Sequence, residues 1–316
     1  MALRTKIGRI EIIAICDFVP PPAPPTEPFP EVPIEAWEPY RESSLTAEGL
    51  YPRNYGVFVL RSDDFTAIVD TGLGPGPHAA MNGVEGKLLE NLAGVGVQPS
   101  DVDGVINTHI HPDHVGWNIV DGKPTFSRAR YTVSRVDWEH WTSQANLAPH
   151  VRDNALPLED LEVLDLVEDD QEIFIGIRTL GTPGHTPGHQ SILIESGGEA
   201  AVITGDVLHT PAQLQEPGWS FRADLDKVAA VASRQMLIEK AITDKLTVAA
   251  GHLRYDGNIG HIVEIEGHRY WQVLAGAGRC WQTDSRSGVV YGTTSSSNKG
   301  QTGGGEHDEI GKNRSR

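Results

Sequence analysis

The chain has 316 residues, 39% hydrophobic and 22% charged, which fits an ordinary globular protein with a sizeable core. Its formal net charge of −17 argues against nucleic acid or an anionic membrane surface as the main partner, because phosphate binding needs clustered Lys and Arg. Cys16 and Cys280 are the only cysteines, and neither lies in a CxxC or CxxH arrangement, so a thiolate zinc site is disfavoured.

Residues 1–18 interleave Arg4, Lys6, Arg9 and Glu11 with apolar positions and lack the unbroken apolar core of a signal peptide. No apolar run is long enough to span a membrane, and a cytoplasmic location is the expectation. Residues 7–18 alternate and read as a strand. Residues 20–39 carry many prolines and are expected to lack regular structure, serving as a surface wrap or a lid anchored by Phe29, Trp37 and Tyr40.

Strands are expected at 55–61 and 66–70, closing on the turn-rich run Asp70-Thr71-Gly72-Leu73-Gly74-Pro75-Gly76. Residues 84–96 show helical spacing, and 102–107 read as a buried strand. A short strand at 131–134 and a helix at 137–145 follow. Further strands are expected at 161–167, 172–180, 191–195 and 200–204, the last two separated by Gly197-Gly198. Residues 224–245 form the best helix, with Asp224 as its N-cap. A strand at 246–249 and the segment 262–273 finish the fold. The pattern suggests two βαβ-like halves meeting near 170–180 in one domain over residues 1–282. From 283 to 316 the chain has almost no apolar content and reads as a disordered tail.

The strand at 102–107 delivers Thr108-His109-Ile110-His111-Pro112-Asp113-His114. Imidazole and carboxylate are the ligands of zinc and similar divalent metals. Residues two apart in an extended segment face the same way, so His109 and His111 can grip one ion. Pro112 ends the extended stretch and turns Asp113 and His114 elsewhere, toward a second ion. Three other strand ends offer comparable groups: His185 in Gly184-His185-Thr186-Pro187-Gly188-His189, Asp206 in Thr204-Gly205-Asp206, and His252 in Ala249-Ala250-Gly251-His252. His189 is expected to brace its loop. In α/β folds that edge is where sites gather.

With these motifs in place, residues 7–275 resemble the metallo-β-lactamase superfamily. The resemblance implies an α/β fold, an αββα four-layer sandwich, with a dinuclear site at one edge of two sheets. It implies that His109, His111 and His185 hold one metal, that Asp113, His114 and His252 hold the other, and that Asp206 bridges them. Asp70 would orient the site. Redox di-iron branches carry a Glu within the first motif, and the His-x-His-x-Asp-His form here points to hydrolysis. β-Lactamases use a cysteine at the bridging position, where this chain has Asp206.

The resemblance further implies two divalent cations, zinc first and manganese, cobalt or iron as options. A hydroxide bridging them would be the nucleophile, with Asp113 or Asp206 handling a proton. The layout after residue 204 resembles the branch of acyl-homoserine lactonases and methyl parathion hydrolase. The expected substrates are therefore small esters or lactones, with aryl esters and organophosphate triesters as secondary ones. His209 is expected to donate to a substrate oxygen, Arg254 and Tyr255 to line the pocket, and some of Trp117, Trp138, Trp141, Trp219 and Phe221 to receive an apolar group. A homodimer is left open. Two competing readings are a glyoxalase-II-like thioesterase and a non-catalytic metal-binding protein of the same fold.

Overall fold

The computed structural model describes residues 2–274 apart from residue 82, so the expectations for Cys280, for residues 275–282 and for the tail lie outside the described residues. The first sheet takes β1 (Arg4–Ile7), β2 (Ile10–Cys16), β3 (Gly56–Arg61), β4 (Thr66–Val69) and β5 (Gly104–Ile106). After a ribbon of β6 (Ile119–Val120) and β7 (Lys123–Pro124), it adds β8 (Arg130–Ser134) and β9 (Leu164–Val167), in the order β1-β2-β3-β4-β5-β8-β9. The second sheet runs in sequence order through β10 (Glu172–Phe174), β11 (Ile177–Gly181), β12 (Gln190–Ser196), β13 (Glu199–Ile203), β14 (Thr247–Ala249), β15 (Ile259–Ile265) and β16 (His268–Val273). The two halves anticipated from the sequence thus meet between Val167 and Glu172.

Side-chain alternation makes the layers. On β2 and β3, Ile12, Ala14, Phe58 and Leu60 face Ile192, Ile194, Ala201 and Ile203 of the opposite sheet. The intervening Ile13, Ile15, Val57 and Val59 pack outward against Leu88 and Leu92 of the helix α1 (Leu88–Gly94). Beyond the second sheet, Val202 and Val248 pack against Leu237, Ile238 and Ala241 of the helix α2 (Lys227–Thr243). Helix, sheet, sheet and helix therefore stack in four layers, each sheet buried on both faces. Among the described residues no helix is long and apolar enough to cross a membrane.

Several expectations are corrected. Residues 7–18 and 172–180 are not single strands: each belongs to a hairpin, turning at Gly8 or Gly176, and the segment 262–273 that closes the fold is a hairpin turning at Gly267, all three glycines at positive φ. The proline-rich stretch is not wholly irregular, because a 3-10 helix spans Ile34–Tyr40. The α2 N-cap is Asp226, whose side chain accepts from Ala229 N; Asp224 has another task. The aromatic anchors hold: Phe29 and Trp37 are buried, and Trp37 packs on Trp219 at 4.7 Å between ring centroids.

Candidate metal centre

Every candidate ligand leaves the C-terminal end of a strand. Parallel pairing sets Val69 beside Ile106, so Asp70 and Asn107 emerge together from β4 and β5. His185 follows β11, while Ile203 pairs in parallel with Ala249, so Asp206 and His252 leave β13 and β14 side by side. Hydrogen bonds stitch the two sheets together here: Gln190 N donates to Thr108 O and Gly56 N to Gly251 O. All seven sequence-predicted ligands converge. The ligand atoms of His109, His111, His185 and Asp206 lie within 4.8 Å of one another, as do those of Asp113, His114 and His252.

Asp206 stands between the two groups, one oxygen to each. Its Oδ2 is 3.0 Å from His185 Nε2 and 3.8 Å from His109 Nε2. Its Oδ1 is 3.0 Å from His252 Nε2 and 3.1 Å from His114 Nε2. Asp113 Oδ2 lies 3.7 Å from both His114 Nε2 and His252 Nε2.

The outward nitrogens of these rings are fixed, which sets tautomer and aim. His114 Nδ1 donates to Asp70 Oδ2 at 2.8 Å, His185 Nδ1 to Asp224 Oδ1 at 2.8 Å, and His252 Nδ1 to Asn54 O at 2.8 Å. His109 Nδ1 donates to Thr108 Oγ1 at 3.0 Å, and Thr108 in turn donates to Asp70. His111 instead points Nδ1 inward, 2.9 Å from His185 Nε2, and packs its ring on Trp141. Asp137 ties the two histidine loops together by accepting from Ile110 N at 2.7 Å and Gly188 N at 3.1 Å. His189 does brace its loop: its Nδ1 donates to Thr182 Oγ1 and its Nε2 accepts from Asp206 N at 2.9 Å. Asp70 adopts φ 64, a left-handed conformation that aims its carboxylate at Thr108 and His114.

The electrostatics are those of a cation trap. Burial alone would raise the Asp206 carboxyl, but His252, His114, His185 and His109 around it hold it well below the ordinary range. Burial opposes protonation of His185, yet Asp206 and Asp224 outweigh it and push its pKa up to about 9. His114 is likewise driven up, against burial, by Asp206, Asp70 and Asp113. Burial and neighbouring imidazoles push His109 and His111 down, leaving them neutral. Buried His114 Nε2 and Asp206 Oδ1 have no hydrogen-bond partner. Two buried ligand-type atoms that face each other at 3.1 Å without a hydrogen bond fit a place for divalent cations, and an imidazole–carboxylate donor set without thiolate suits zinc, manganese, cobalt or iron.

A cleft of about 360 Å³ opens over His111, Asp113, His185, Asp206 and His252, walled by Tyr51, Tyr55, Leu73, Met81 and Phe221. His209 reaches the cluster, with Nε2 3.3 Å from Asp206 Oδ2, but it is fully buried. Its ring is stacked on Phe221 at 3.9 Å and on His252 at 5.0 Å, and it lines a neighbouring cavity of about 250 Å³ instead. Arg254 also lines that neighbouring cavity, and Tyr255 is 56% exposed elsewhere, so neither belongs to this cleft. Of the five aromatics, Phe221 and Trp141 adjoin the centre. Trp117 and Trp138 are core, and Trp219 holds the proline-rich stretch.

The group on the cleft wall that sequence reading missed is Tyr55. Its ring packs on His252, and among the described residues its hydroxyl has no partner. Burial and then the charge of Asp113 push its phenol well above the ordinary value, so it stays a donor. Asp137, Asn54 and the true role of Asp224 were missed too. The only local signals were a polar residue at a helix start or before a strand.

The family model for the metallo-beta-lactamase superfamily matches residues 50–252. An N-acyl homoserine lactonase of Bacillus sp is 29% identical over 231 residues, 66% of this chain and 85% of that one. The N-acyl homoserine lactonase AttM of Rhizobium radiobacter is 28% identical over 176 residues, 52% of this chain and 63% of its own. Among solved structures, AidC, described as a dizinc quorum-quenching lactonase in complex with a product, superposes with a TM-score of 0.76 at 19% identity, over 88% of this chain and 98% of that one. The hydrolase AbOPH gives a TM-score of 0.75 at 25% identity over the same shares.

Proposed function

The chain belongs to the metallo-β-lactamase superfamily, and from that premise we propose that it is a dinuclear-metal hydrolase that opens small lactones and cleaves small esters. The observation that carries this reading is the Asp206 carboxylate, with one oxygen turned to each of two ligand groups. The lactonase names of the relatives favour lactones, N-acyl homoserine lactones among them, over thioesters. Aryl esters and organophosphate triesters are proposed as secondary substrates.

His109, His111 and His185 would hold one cation and Asp113, His114 and His252 the other, with Asp206 between. When bound, the pair supplies a Lewis acid and a water of lowered pKa. The remaining work falls to side chains. Asp113 lines the cleft and is placed to take or steer a proton, whereas Asp206 is buried and serves to bridge. The Tyr55 hydroxyl is the donor on the cleft wall, the role that the sequence suggested for His209. His209 stacks under the centre and presses on Asp206. Leu73, Met81 and Phe221 offer an apolar surface to an acyl chain.

Metal-loaded protein should bind two equivalents, lose lactone hydrolysis in chelator, and regain it with zinc, manganese or cobalt. His111→Ala should lose most activity. Activity untouched by chelation and by His111→Ala would refute the reading. A glutathione thioester turned over faster than every lactone and ester would move the assignment to a thioesterase.

A further inference from the structure

The cleft carries charge that the hydrolytic centre does not use. Arg53 and Arg222 line it together with Glu27. Glu27 Oε1 lies 2.7 Å from Arg53 Nη2 and 3.5 Å from Arg222 Nη1. Two guanidinium groups share one carboxylate, so this rim has one net positive charge in a chain of net charge −17.

Both arginines are fixed relative to the centre by short paths through the chain. Arg53 precedes Asn54, whose carbonyl accepts from His252 Nδ1 and whose amide donates to Gly251 O and Leu253 O. Arg222 lies between Phe221, which stacks on His209, and Asp224, which orients His185. Arg222 N donates to Pro28 O, and Ala23 bridges Tyr51, so the segments bearing Glu27, Arg53 and Arg222 are tied to one another. Because both guanidinium groups reach the same Glu27 oxygen, the two arginines stand side by side in the cleft lining. Tyr55 shares the cleft lining with them: burial, then Asp113 and Asp206, raise its phenol, and Arg53 and Arg222 pull it down.

We propose that Arg53 and Arg222 form an anion subsite at the rim of the cleft, selecting esters and lactones that carry a carboxylate remote from the bond to be cleaved. The proposal rests on the hydrolase reading and names its substrate class. Glu27 is a weak competitor, because an ion pair between partly exposed side chains is screened by solvent and contributes little. A guanidinium has five N–H donors, and Glu27 occupies one nitrogen of each, which leaves fork faces for a second carboxylate. One net charge matches a carboxylate better than a phosphate dianion. The apolar Leu73, Met81 and Phe221 suit the spacer between the two ends of such a molecule.

The test uses metal-loaded full-length chain and three matched aryl esters: a neutral acyl chain, the same chain ending in a carboxylate, and a neutral acyl chain with the carboxylate on the leaving alcohol. The quantity read is the ratio of kcat/KM for each charged ester to the neutral one. Arg222→Ala and Arg53→Ala should each lower the ratio by about 5- to 10-fold for whichever charged ester fits, with Arg222→Lys retaining part of it. Glu27→Gln should raise the ratio, and added salt should compress it. Melting curves of the variants check folding. Ratios that stay put in both arginine variants, or that fall in Glu27→Gln, overturn the proposal. If no ester is turned over, the hydrolase reading has failed, and the subsite is judged by calorimetric binding of glutarate to wild type and Arg222→Ala. Weaker binding to the variant upholds it, and equal binding overturns it.

Discussion

Replacing Asp224 separates two tasks that the same residue type performs within three positions. Asp224 Oδ1 accepts from His185 Nδ1 at 2.8 Å, and its Oδ2 accepts from Phe221 N at 2.9 Å and lies 3.5 Å from Arg234 Nη2. The side chains of Asp224 and Arg234 are both 0% exposed. In Asp224→Ala the buried guanidinium keeps only Val207 O and Pro217 O, at 2.8 and 2.7 Å. Removing one partner of a buried ion pair costs about 3–5 kcal/mol, and the two carbonyls set the expectation near the lower figure. His185 also loses its orienting carboxylate, which typically lowers metal affinity about 10- to 100-fold. The helix-cap role alone would predict about 1 kcal/mol of stability and no change in metal affinity.

Asp226→Ala is the control, because Asp226 is the residue that caps α2. Urea unfolding of metal-free protein gives the stability term, and competition with a chelating dye gives the affinity. Burial would raise the Asp224 carboxyl, but His185, His209 and Arg234 depress it below its ordinary 3.8. Its charge therefore stabilises the fold above that pH, and the contribution is lost as pH falls through the depressed value. The gap between wild type and Asp224→Asn should be full at neutral pH and close in strong acid. Identical metal affinities for Asp224→Ala and Asp226→Ala, with similar small losses of stability, would refute the orienting role.

Gly184 has φ 132, and a Cβ there would lie 2.0 Å from Ala230 N, so Gly184→Ala should cost about 3 kcal/mol in thermal unfolding and weaken metal binding through its neighbour His185. Trp37→Ala should cost about 3–5 kcal/mol if residues 20–39 are a packed wrap; a loss under about 1 kcal/mol would mean a lid that folds apart from the core. Burial and then His185 hold His189 neutral, with its pKa pushed down to about 3 from 6.5. Between those values the unfolded chain binds a proton that the folded chain refuses, so stability falls as pH drops. The stability advantage of wild type over His189→Gln should therefore shrink from pH 6.5 to pH 3, read from urea midpoints; a constant gap would count against a buried neutral His189.

What could be read from the sequence is what register alone determines. His109, His111, Asp206 and His252 stand just past apolar strands, and parallel pairing of Val69 with Ile106 and of Ile203 with Ala249 turns strand ends into neighbours. The hairpins were hidden because Gly8, Gly176 and Gly267 each mark a tight turn with a single glycine and no second turn residue beside it, whereas the double glycine at 197–198 announces its turn. The groups that aim the ligands were hidden for a different reason. Asn54 reaches His252 from the start of β3, Asp137 joins two loops from different sheets, and Arg53 meets Arg222 through Glu27. None of these pairings has a spacing, because each depends on how one sheet lies on the other. Asp224 shows the cost of reading locally: it obeys the cap rule, but Asp226 obeys it too, and packing frees the first to hold a histidine. A ligand set can be encoded in short motifs, since each ligand needs only its own strand end. The hydrogen bonds that fix its tautomers, and the charges gathered at the rim of its cleft, belong to the folded sandwich as a whole.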